Sequence, residues 1–102
     1  MNFNNLVQQA QQMQKKVNKA KKNFNEKEFD IECQNNYITG KIMGSLEIKE
    51  LHIDQTMMTP ENQDDIEALL IVTMNQMIQK INKEREDTVD KLTNGVDVSA
   101  FL

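Results

Sequence analysis

The residues best equipped for chemistry form a run of lysines: Lys15, Lys16, Lys19, Lys21 and Lys22, within "MQKKVNKAKKNF". An ammonium group is a compact positive charge with three donors, and phosphate is one of its natural partners. The other reactive side chains stand alone. His52 is the only histidine and Cys33 the only cysteine, so neither a zinc ligand set nor a nucleophile–base pair is expected. Cys33 shares its parity with Phe29 and Ile31, which marks it as a packing residue rather than a reactive thiol. Asp64 and Asp65 are better explained as acids at a helix start than as a catalytic pair. Three glycines make no phosphate-binding loop. No catalytic group, metal site, cofactor or small-molecule substrate is expected.

The lysine run stands out because its surroundings are acidic. The 102-residue chain has a formal net charge of −4. Residues 1–27 balance at +5, residues 28–60 at −4 and residues 61–102 at −5. This excludes indiscriminate nucleic-acid binding by the whole surface but leaves a local phosphate-binding patch. The phosphate-contact candidates are Lys15, Lys16, Lys19, Lys21 and Lys22, with Lys83 and Arg85 as helpers. The plain alternative is a solvated helix face. No aromatic platform or arginine-rich reading head accompanies them, so base-specific readout is not indicated.

The first helix must position these lysines. Leu6, Ala10, Met13, Val17, Ala20 and Phe24 follow one another at steps of 4, 3, 4, 3 and 4, a heptad seam over about residues 4–25. Lys15, Lys19 and Lys22 fall together on the opposite face. Residues 28–53 read as three strands. "EFDIECQ" alternates with period two, Asn35-Asn36 marks a turn, "YITGKIM" is rich in strand formers, and Gly44-Ser45 marks the next turn. In "LEIKELHI" the apolar parity shifts between Ile48 and Leu51, which predicts a bulge or burial on both faces. Thr59-Pro60 reads as a helix start, followed by a long helix to about residue 94. Ile66, Leu69, Leu70, Met74, Met77, Ile78 and Ile81 give that helix a wide apolar face. Beyond Ile81 a solvated arm is expected, ended by Gly95, with a short tail over 95–102. The fold class is therefore α+β: one domain over 1–102, ordered α-β-β-β-α, with an antiparallel meander flanked by two long helices.

The apolar faces exceed what three strands can cover, so a homodimer is expected, with Leu70, Met74, Met77 and Ile81 as interface candidates. No apolar run is long enough to span a membrane, and Asn2, Asn4 and Asn5 interrupt any leader-like core. A cytoplasmic protein is expected. A second reading of the two helices and seven methionines is a chaperone-like or adaptor module.

Several stretches resemble the YbaB/EbfC nucleoid-associated proteins. "NLVQQAQQMQKKV" is similar to that family's opening helix, "YITGKIMG" to its second strand, "ELHID" to its third, and residues 64–95 to its long final helix. The resemblance covers nearly the whole chain. It implies an α-β-β-β-α protomer, a tweezer-like dimer with protruding helices, binding to double-stranded DNA in the bacterial nucleoid, and no enzymatic activity. This chain departs from the family pattern in its shortened Gln34-Asn35-Asn36 turn, its "VDVSAFL" tail and its more acidic final helix.

Overall fold

The alternation in residues 28–53 becomes a three-stranded antiparallel sheet, β1 (Glu28–Ile31), β2 (Ile38–Met43) and β3 (Ile48–Ile53), with β2 central. In the computed structural model, which describes residues 3–93, helix α1 (Phe3–Asn25) precedes the sheet and helix α2 (Gln63–Thr93) follows it. The α-β-β-β-α order and the α+β class hold.

Local chemistry explains the turns. Between β1 and β2 a 3-10 turn spans Gln34–Asn36, and Asn35 and Asn36 both adopt positive φ, near 58° and 57°. Asparagine tolerates that left-handed region better than most residues. The parity shift in the third strand is a bulge. Lys41 faces Glu50 while Ile42 faces Ile48, which leaves Lys49 as the extra residue. The strand is shorter than its apolar pattern, because Leu46 turns at a φ of 74° before β3 begins. Pro60 opens a 3-10 turn, Pro60–Asn62, instead of the first turn of the α-helix. Thr59 precedes it without a side-chain cap, and α2 starts only at Gln63.

One face of the sheet carries the core. Phe29 and Ile31 of β1 and Ile38 and Ile42 of β2 pack with Met77 and Ile81 of α2, which are 2% and 0% exposed. Cys33, Leu69, Leu70 and Met74 close the edges of this cluster. β3 is an exposed edge strand whose Ile48 and Leu51 remain half in solvent.

The expectation of a solvated arm after Ile81 is corrected. Phe24 of α1 lies under Arg85, with 5.3 Å from the guanidinium carbon to the ring centre, and Lys27 pairs with Glu84 at 2.6 Å. Ala20 and Thr88 line one cleft between the two helices. Thus α1 runs antiparallel along the far half of α2. The pattern hid this because Arg85 and Thr88 occupy inward positions with their aliphatic parts. The result is a rod, 70 × 19 × 17 Å, with a radius of gyration of 19.5 Å. A compact domain of this length would have a radius near 13 Å. The expected helix stop at Gly95 and the tail lie outside the described residues.

Candidate nucleic-acid interface

Five Gln and five Lys give helix α1 its good helix formers, five Asn are weaker ones, and no Gly or Pro interrupts it. Gln14 Nε2 donates to Asn18 Oδ1 at 3.0 Å, one turn along the exposed side. No acid lies within α1, and Lys22 sits in its last turn, where a cation favours the negative helix end. Val17 and Phe24 are buried on one side. At 3.6 residues per turn, Lys15, Lys19 and Lys22 lie on the other side and rise through about 10 Å. All three are exposed. Lys16 is exposed on the flank, and Lys21, close to the seam, is half-buried.

The charges of this stripe are uncompensated. In the body of the protein Lys41 stands 3.6 Å from Asp30 and 4.0 Å from Glu28, and Lys80 stands 3.5 Å from Glu32. Among the described residues, Lys15, Lys16, Lys19, Lys21 and Lys22 form no ion pair. Like charges one turn apart repel, so the stripe carries a small standing cost that an anion would relieve.

The two helpers fare differently. Lys83 is exposed on the side of α2 away from Arg85 and Thr88. It stands one turn before the exposed Glu86 and Asp87. Arg85 is half-buried and directed inward: it donates to the Gly44 carbonyl and, at 2.7 Å, to Asn82 Oδ1. The arm therefore has a positive outer face on α1 and a mixed one on α2, where Glu86, Asp87 and Asp90 stand exposed beside Lys83 and Lys91. Sequence reasoning missed the inward role of Arg85, although its signal was present: Arg85 follows Ile81 by one turn and shares its face. It also missed Lys27, which lies 5.0 Å over the Phe29 ring while pairing with Glu84.

Of the four interface candidates, Met77 and Ile81 are consumed in the protomer's own core, while Leu70 and Met74 are half-buried at its edge. The larger unpartnered apolar surface belongs to Ile71, 63% exposed, and Val72 of α2, and to Ile48 and Leu51 of β3. A separate apolar group, Phe3, Leu6 and Val7, is exposed at the start of α1.

No group of three His, Cys, Asp or Glu side chains is placed to hold a metal among the described residues, and no described helix is long and apolar enough to cross a membrane. Asp54 has a displaced ionisation: the Thr56 amide, and then its hydroxyl, donate to the carboxylate and hold it below its ordinary range.

Residues 1–96 match the model of the YbaB/EbfC DNA-binding family. The chain belongs to that family. It is 37% identical to a nucleoid-associated protein of Enterococcus faecalis, over 93% of this chain and 91% of the relative. It is 31% identical to one from Clostridium novyi, over 100% of this chain and 90% of that protein. A Mycoplasmopsis pulmonis relative with the same description is 30% identical over 93% of each chain. The match takes in both YbaB/EbfC helices and the whole sheet, so the lysine stripe and the outer face of α2 both lie inside the family domain.

Proposed function

We propose that this YbaB/EbfC protein is a non-enzymatic homodimer of the bacterial nucleoid that binds duplex DNA through backbone phosphates. The observation that carries the reading is the uncompensated lysine face of α1, in a chain of a DNA-binding family. Lys15, Lys19 and Lys22 are the principal phosphate ligands, with Lys16 and Lys21 on the flanks. The outer face of α2 in the arm mixes Glu86, Asp87 and Asp90 with Lys83 and Lys91, so it attracts DNA less than α1 does and gives Lys83 a minor part. Phosphate contacts position a protein without reading sequence, so binding is broad in sequence preference.

Dimerisation is supported by the exposed apolar side chains of Ile71, Val72, Ile48 and Leu51, beside Leu70 and Met74. β3 also offers an unpaired edge. A two-fold pair would double the lysine stripe.

Titration of a labelled duplex against salt tests the reading. With about six lysines on phosphates per dimer, affinity should fall roughly a thousandfold between about 50 and 200 mM salt. A flat salt response, or no binding, would remove the proposal. The chaperone-like reading draws on the exposed Phe3, Leu6 and Val7. It predicts suppressed aggregation of unfolded clients without duplex binding. Among the described methionines only Met58 is exposed, so a methionine-rich client surface is not part of that reading.

A further inference from the structure

Three separate segments meet where the arm leaves the sheet. The first is the end of α1, where Phe24 lies 5.7 Å from Phe29 between ring centres. The second is the β2–β3 turn: Gly44 N–H donates to the Lys27 carbonyl at 2.8 Å, and Ser45 N–H to the Asn25 carbonyl at 3.3 Å. The third is α2, which contributes Arg85. Its guanidinium lies over the Phe24 ring and donates to the Gly44 carbonyl, and a second nitrogen is held by Asn82. One planar group thus touches α1, the sheet turn and α2 at once. Only a backbone without a Cβ fits at Gly44, since an added Cβ would stand 1.9 Å from the Phe24 carbonyl oxygen.

We infer that Arg85 is a positioning residue for DNA binding: a latch that fixes the direction of α1, and so of its lysine stripe, relative to the sheet. No phosphate contact is assigned to Arg85 itself, because one nitrogen donates to the Gly44 carbonyl, another to Asn82, and its flat face lies on the Phe24 ring, all on the inner side of the arm. A guanidinium suits this task through its flat face for the ring and its several donors in fixed directions. The stripe begins two residues before Phe24, at Lys22, and extends back to Lys15. A small rotation at Phe24 is therefore carried directly to every lysine, and in a dimer without the latch both stripes must be brought back into line on the duplex at a free-energy cost, with the same phosphates contacted in the end. The inference rests on the proposed reading that α1 carries the DNA-binding lysines.

The test compares parent, Arg85→Lys, Arg85→Gln and the triple Lys15→Gln/Lys19→Gln/Lys22→Gln variant, all below their melting temperatures. Duplex affinity is read over a salt series, and hydrogen exchange is read in α1. A latch predicts that both Arg85 variants lose affinity by roughly fivefold or more at every salt concentration, a coupling of ordinary size. The slope of log affinity against log salt stays that of the parent, and amides of residues 17–25 exchange faster. A direct phosphate contact predicts the reverse: Arg85→Lys behaves as parent, and Arg85→Gln flattens the slope by about 0.9 per protomer. That outcome, or unchanged α1 exchange in both variants, overturns the latch. If the triple variant binds like the parent, the stripe reading fails instead, and the exchange measurement still decides whether Arg85 holds α1. Phe24→Leu, which keeps the apolar bulk but removes the ring, should reproduce the affinity loss at unchanged slope; parent-like affinity and α1 exchange would show that ring stacking is no part of the latch.

Discussion

The seam of α1 and the inner face of α2 are spelled in the same way, with apolar side chains three and four residues apart, yet they end in different surroundings. On α2, Met77 and Ile81 lie between sheet and helix and are fully buried. On α1, burial fades along the helix: Phe24 and Val17 are buried, Met13 and Ala10 half-buried, and Leu6 45% exposed. The cause is length. Thr88 shares a cleft with Ala20, so equal rise in two antiparallel helices brings Thr93 alongside roughly residue 15. The first turns of α1 extend about 18 Å past the described end of α2. Periodicity states that a face is ready to pack, and only the geometry of the partner decides how far along it is covered.

Mutations can break this comparison. The largest effect is expected for Ile81→Ala, which should cost about 2–5 kcal/mol of stability by leaving a cavity in the core. Leu6→Ala should cost about 0.5 kcal/mol or less, as for an ordinary surface site. Denaturant melts of the two variants check this, and a Leu6 loss as large as that of Ile81 would reveal a further helix over the seam. Next, Gly44→Ala should destabilise by about 1–3 kcal/mol, because its methyl meets the Phe24 backbone and the turn must shift. Parent-like melting of that variant would show that α1 and the turn are not in close contact. Hydrogen exchange sharpens the contrast without mutation: amides from Leu69 to Ile81 should be the slowest, and those from Asn5 to Met13 should exchange much faster. Equal protection would mean that the front of α1 is covered.

The smallest effect concerns Asp54. Its carboxylate is held below the ordinary range by hydrogen bonds from Thr56. The folded-state value lies under the unfolded one, so the contribution is present above the unfolded value and lost as pH falls through the folded value. Asp54→Ala should therefore narrow the gap to parent as melts are taken to acid pH, and an unchanged gap would contradict the capping role.

Most of the fold was legible because its signals are local. Period two along Glu28–Ile31, the Asn35-Asn36 turn and the parity shift that became the Lys49 bulge each depend on a few neighbouring residues. The pairing of α1 with the far half of α2 was not legible. Its contacts, Phe24 with Arg85 and Lys27 with Glu84, join residues about sixty positions apart and use side chains that resemble solvent-facing ones. The lysine stripe was readable from spacing alone, and the family match adds that the domain containing it is a DNA-binding one. The inward turn of Arg85 depends on a carbonyl of the β2–β3 turn, which no helical pattern records.

The central claim is that the outer face of α1 neutralises DNA phosphates. Its most direct test is the salt slope of duplex binding for the parent and for the Lys15→Gln/Lys19→Gln/Lys22→Gln variant. Glutamine is nearly as good a helix former as lysine, and the changed face lies opposite the seam, so fold and assembly should persist. The variant removes three positive charges from the phosphate-facing side of each protomer. In a dimer the slope should therefore flatten by about 5, and binding should weaken on every duplex sequence. A variant that binds as tightly as the parent, with the parent's slope, would contradict the account.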